Sequence, residues 1–105
     1  MGKIVIVGYR PKPGKEAVLA ALTEKHVTVL RAEGFVTDRR PVVMQAGDGT
    51  IIEVFEWKSA EAMQKAHDNP VVADLWREYD EACDYVPLAD IPMAKTVFSE
   101  FQPLN

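Results

Sequence analysis

Two imidazoles, one carboxylate set among apolar neighbours and a handful of aromatic rings are the groups through which this 105-residue chain could do chemistry. His67 closes the run AEAMQKAH, two residues ahead of Asn69-Pro70. An imidazole titrates near neutral pH, so His67 could accept a proton as a general base or orient a substrate hydroxyl. At the end of a helical segment it could equally satisfy a free backbone carbonyl. His26 falls between Leu22 and Val29 within an apolar stripe, where an imidazole must find a partner or suffer a desolvation penalty. It reads either as a core histidine held by a hydrogen bond or as a polar group of a pocket. Glu53 alternates with Ile51, Phe55 and Trp57 and therefore shares their face. An ion pair with Arg39 or Arg40 is the expected arrangement there, with a proton acceptor as the other reading. Tyr9, Phe55, Trp57, Trp76 and Tyr79 could wall a ring-shaped ligand, although Trp76 and Tyr79 at helical spacing also suit a core.

The elements that must position these groups follow from periodicity and punctuation. KIVIVGY (residues 3–9) is β-branched and apolar at nearly every position and is stopped by Pro11, Pro13 and Gly14, which describes a strand buried on both faces. Over residues 15–33, Val18, Leu19, Leu22, Val29 and Leu30 recur at three- and four-residue spacing, and Gly34 stands where a helix ends. RPVVMQA (40–46) and TIIEVFEW (50–57) flank Gly47-Asp48-Gly49, a hairpin loop whose glycines accept positive φ. Ser59 can cap a helix with Glu61 in its first turn. Pro70 suits the first position of a second segment capped by Asn69. That segment carries the stripe Val72, Leu75, Trp76, Tyr79, Ala82, Cys83 and Val86. A loop from Pro87 to Pro92 leads to a last strand, KTVFSEF (95–101).

The order β-α-β-β-α-β, with right-handed crossovers, predicts a single α+β domain over 1–105: a ferredoxin-like, four-stranded antiparallel sheet with two helices on one face. Its other face is apolar too, since Ile4, Ile6, Ile52 and Val54 oppose Val5, Val7, Tyr9, Ile51, Phe55 and Trp57. Such a face is seldom left wet, and a second copy of the same sheet would cover it through a two-fold axis. A homodimer with a standard interface of about 1,600 Å² is therefore expected, the C-terminal FQPLN or loops being the alternative cover.

Composition narrows the function classes. The net charge is −4 and no basic run exceeds Arg39-Arg40, so the electrostatic footprint of nucleic-acid binding is missing. No apolar stretch approaches the roughly 20 residues of a membrane helix. The lone Cys83 offers no internal disulfide and no thiol pair for a metal or redox motif, so a small buried helix residue in a reducing cytoplasm is expected.

Three places, LRAEGF (30–35), EVFEWKSAEAM (53–63) and the histidine shortly after, together resemble the dimeric α/β-barrel superfamily, and within it the antibiotic-biosynthesis monooxygenase-like (ABM) domains. The resemblance implies a small homodimer with a pocket between sheet and helices in each subunit. It also implies oxygenation of electron-rich aromatic substrates without metal, flavin or other cofactor. His67 and Glu53 are its candidate catalytic groups, and Tyr9, His26, Phe55, Trp57, Trp76 and Tyr79 its candidate ligand-binding set. In the family pattern the histidine follows the E-A-L/M element by three residues, whereas Met63 and His67 here are four apart. The competing reading is a non-catalytic member, a ligand-binding or stress-associated dimer. A haem-degrading relative is disfavoured: that branch has an Asn on its first strand, which this chain lacks, and an axial His where Trp76 or Arg77 stands.

Overall fold

The computed structural model describes residues 2–105. Strand β1 (Lys3–Pro11) is followed by helix α1 (Glu16–Ala32), the hairpin β2 (Val42–Gln45) and β3 (Ile51–Trp57), helices α2 (Ala60–Ala66) and α3 (Pro70–Ala82), and strands β4 (Cys83–Val86) and β5 (Gln102–Pro103). All strand pairs are antiparallel, in the order β4-β1-β3-β2-β5. The protein is thus an α+β fold with three helices and a five-stranded sheet, one strand more than expected.

Local chemistry sets most boundaries. α1 closes with Gly34 at φ +84°, and the Phe35 amide reaches back to the Leu30 carbonyl at 3.0 Å, the glycine-dependent ending that satisfies a last-turn carbonyl. In the hairpin Gly49 sits at φ +93°, and Asp48 Oδ1 accepts from the Thr50 amide at 3.0 Å. Ser59 Oγ accepts from the Ala62 amide at 3.0 Å. Asn69 Oδ1 accepts from both Val71 and Val72 amides, at 2.9 and 3.0 Å. With Pro70 at the first position, which needs no amide partner, the chain turns a corner between α2 and α3 instead of continuing one helix.

Two expectations at the C-terminal end are corrected. The helix stops at Ala82, and Cys83–Val86 forms β4 on the free edge of β1, pairing Gly8 with Val86 and Tyr9 with Tyr85. Cys83 is buried at the junction of helix and strand, where burial first, and then Asp84 and Asp80, push its thiol up to about 11. Because β4 takes the edge of β1 left by β3, KTVFSEF has no strand partner: Pro92–Lys95 is a 3₁₀ turn and residues 96–101 lie outside the sheet. Val97 and Phe98 are 94% and 86% exposed.

The helices pack on the face bearing Val5, Val7, Tyr9, Ile51, Phe55 and Trp57. The opposite face is covered in part, where Ile91, Ala94 and Phe101 lie over Ala46, Ile52, Val86 and Met44. Beyond that cover, Ile6, Val54 and Val42 stand in register across β1, β3 and β2. Ile6 and Val42 are 46% and 51% exposed, and Ile4 in the next row is 56% exposed.

Gly8 allows this cover to come close. A Cβ there would lie 2.5 Å from the Val86 carbonyl oxygen and 3.2 Å from Ile91 Cδ1. Gly8→Ala should therefore cost about 1–3 kcal/mol by overpacking, read as a lower urea midpoint. Gly47→Ala, whose Cβ meets open space, should move it little.

Candidate functional site

A cavity of about 460 Å³ lies between the inner face of the sheet and the helices. β1 contributes Val5, Val7 and Tyr9, β3 contributes Phe55 and Trp57, and α1 contributes His26. Met63 and His67 come from the end of α2, Trp76, Tyr79 and Asp80 from α3, and Tyr85 from β4. The size suits one small ring system.

The floor of this space is one hydrogen-bonded chain of side chains drawn from four elements. Tyr9 donates its hydroxyl to Glu53 Oε1 at 2.8 Å, and His26 Nδ1 lies 2.8 Å from the same oxygen. Trp76 donates its indole N–H to His26 Nε2 at 3.1 Å. An indole nitrogen can only donate, so His26 Nε2 must accept and Nδ1 must carry the proton that goes to Glu53. His26 is therefore held as the neutral Nδ1–H tautomer. Burial first, and then the Glu53 carboxylate, hold the Tyr9 phenol well above its usual range, so its hydroxyl stays protonated.

The rings add shape to this floor. Tyr9 stacks on Tyr79 with centroids 4.8 Å apart, and His26 meets Phe55 and Tyr79 edge-on at 5.4 and 5.1 Å. Tyr79 donates its hydroxyl to Thr23 Oγ1 at 3.2 Å, and Thr23 passes its own to the Leu19 carbonyl at 3.0 Å. Burial raises the Tyr79 phenol above its ordinary value, and Glu53 adds to this.

His67 occupies the mouth. It caps the end of α2, and its Nδ1 lies 3.0 Å from the Met63 carbonyl, which can only accept. In the neutral ring the proton is thus on Nδ1 and the Nε2 lone pair is free. The ring packs edge-on against Trp76 at 5.1 Å. The four-residue spacing from Met63 is what allows this bond to the carbonyl one turn back.

The six residues expected to bind ligand, Tyr9, His26, Phe55, Trp57, Trp76 and Tyr79, all line the one cavity. Of the two candidate catalytic groups, His67 lines it and Glu53 stands behind it, fully buried, reaching it only through Tyr9 and His26. The expected ion pair of Glu53 with Arg39 or Arg40 is not formed. Arg39 pairs with Glu56 at 3.1 Å on the exposed side, because Glu53 points inward toward α1. Asp80 and Tyr85 also line the cavity: Asp80 stands on the polar side of the helical pattern, and Tyr85 is missed when Cys83–Val86 is read as helix. Alternation along a strand opposite Tyr9 would have found Tyr85. Among the described residues no three His, Cys, Asp or Glu side chains converge as a metal-ligand set, and no helix is long and apolar enough to cross a membrane.

No protein-family model matches the chain, and neither does any curated protein. Among solved structures it is similar to that of Rv0793 from Mycobacterium tuberculosis, with a TM-score of 0.66 at 20% identity over 82% of this chain and 89% of that one. At that identity the likeness is one of fold.

Proposed function

We propose that two copies of this chain form a dimeric α/β barrel of ABM-like, ferredoxin-like subunits, each binding a flat aromatic molecule between sheet and helices and oxygenating it without a cofactor. The chain path β-α-β-β-α-β and the strand order β4-β1-β3-β2 support the ferredoxin-like reading. The uncovered row of Ile6, Val54 and Val42 supports the dimer.

One observation carries the functional reading: an aromatic-walled space of about 460 Å³ with a free imidazole nitrogen, His67 Nε2, at its mouth. In this reading His67 takes a proton from an acidic hydroxyl or ring position, leaving an electron-rich anion that reacts with oxygen directly. A ring methylene then becomes a carbonyl: one oxygen atom of O₂ joins the carbon, the two hydrogens leave with the other as water, and the substrate supplies all four electrons. The apolar walls keep bulk water from the anion.

The competing binding-only reading is favoured by one fact: both nitrogens of His26 are engaged within the protein, which leaves proton transfer to His67 alone. Oxygen uptake with a panel of hydroquinones and anthrone-like phenols separates the two. His67→Ala should lower turnover about 10²- to 10⁴-fold, the usual weight of a general base, while quenching of Trp57 and Trp76 fluorescence still reports binding. Binding without turnover in the unaltered protein would leave a ligand carrier.

A further inference from the structure

We propose that the ligand of this cavity is a cation, an aromatic ring bearing a protonated amine, a refinement that rests on the small-molecule reading above. Three independent features of the cavity converge on that charge.

The first is the direction of the hydrogen bonds. The Tyr9 and Tyr79 hydroxyls, the Nδ1–H of His26 and of His67, and the indole N–H of Trp76 are all directed to protein acceptors. Of the polar groups at the base of the cavity, these donors are thus already taken, and the His67 Nε2 lone pair and the ring faces remain for a ligand that brings its own hydrogens.

The second is the balance of charge. No lysine or arginine lines the cavity, whereas the Asp80 carboxylate does. Behind the floor Glu53 is fully buried, and its ion-pair partner His26 is neutral in the tautomer that Trp76 imposes. Glu53 Oε2 has no hydrogen-bond partner among the described residues. The nearby Lys12 ammonium goes to the backbone carbonyl of Asp80 at 2.9 Å and is not part of the lining. The Asp80 carboxylate therefore sets the sign of the field in the adjoining space, with no lining cation to offset it.

The third is the walls themselves. Aromatic faces carry negative quadrupole potential and attract ammonium groups, most strongly where water is excluded. Ring faces, a floor whose donors are already engaged and a lining carboxylate with no lysine or arginine beside it are each compatible with other ligands; together they select a donor that is also positive.

The test uses the full chain and three ligands that share a phenol ring and differ in charge: tyramine, 4-propylphenol and 3-(4-hydroxyphenyl)propanoate. Both tryptophans of the chain line the cavity, so fluorescence quenching at pH 7 reads binding directly. Tyramine should bind at least about tenfold more tightly than 4-propylphenol, and the propanoate most weakly. Asp80→Asn should reduce the tyramine preference severalfold. Asp80 is exposed, so its variant should fold as the parent does and reads the charge alone. If 4-propylphenol binds as tightly as tyramine, the cation inference fails and the aromatic-ligand reading stands. If none of the three binds, both fail.

Discussion

Replacing His26 with alanine is expected to destabilise the protein by about 3–5 kcal/mol, a large share of the roughly 5–15 kcal/mol that holds a domain of this size together. His26 Nδ1–H is one of two donors to Glu53 Oε1, the other being Tyr9. Leaving a buried hydrogen-bonding group without its partner costs about 1–3 kcal/mol. The variant also strands the Trp76 indole N–H, which loses its acceptor, and opens a void beneath Phe55 and Tyr79, adding a cavity penalty. At roughly 4 °C per kcal/mol for a chain of about this length, thermal unfolding should begin some 12–20 °C lower. His67→Ala gives the contrast. It removes an exposed ring with one bond to a carbonyl and should stay within about 0.5 kcal/mol of the parent. Equal stability of the two variants in urea titrations followed by circular dichroism would mean that the buried chain of hydrogen bonds contributes little.

Ile6→Asp should convert the proposed dimer into single chains while leaving the fold intact. Ile6 lies at 46% exposure on the sheet face away from the helices, so an aspartate there is solvated in one subunit. In the proposed assembly each copy would bring its own carboxylate into an apolar contact with no cation opposite. An unpaired charge at an interface costs about 2–5 kcal/mol; two of them weaken association by more than about 10³-fold. Sedimentation velocity at micromolar concentration should find the parent as two chains and the variant as one. Val18→Asp, on an exposed position of α1, should change nothing. A parent protein that sediments as a single chain removes the dimer.

What could be read from the sequence was what depends on neighbours along the chain. The alternation of β1 and β3, the stripe of α1, the glycine loop and the Asn69-Pro70 corner are each written in adjacent residues, and each is present. What could not be read depends on which edge a segment reaches. Cys83 and Val86 are both buried and three apart, a spacing that fits the stripe of α3 as well as it fits a four-residue strand; the free edge of β1 decides in favour of the strand. Once β4 is there, the alternating pattern of KTVFSEF has nothing to pair with, however strand-like its composition. The partner of Glu53 was misjudged for a similar reason. Arg39 and Arg40 are nearer in sequence than His26, but Arg39 extends along the exposed side to Glu56, and only the packing of α1 over β3 brings an imidazole to the inward face. The aromatic set was legible because strand alternation and helix periodicity both point it to the same interior.

The floor of the cavity has a consequence for how such a protein can change over generations. Tyr9, Glu53, His26 and Trp76 come from four elements and satisfy one another in series, so replacing any one strands its neighbour, and a viable exchange requires compensating partners to arrive together. Val5, Val7 and Met63 bound the same space through apolar surface alone. They can be exchanged one at a time for other apolar side chains, at the modest cost of a changed volume. Selection acting on this site would thus find the outline of its occupant easy to redraw in single steps, and the polarity of its base nearly frozen.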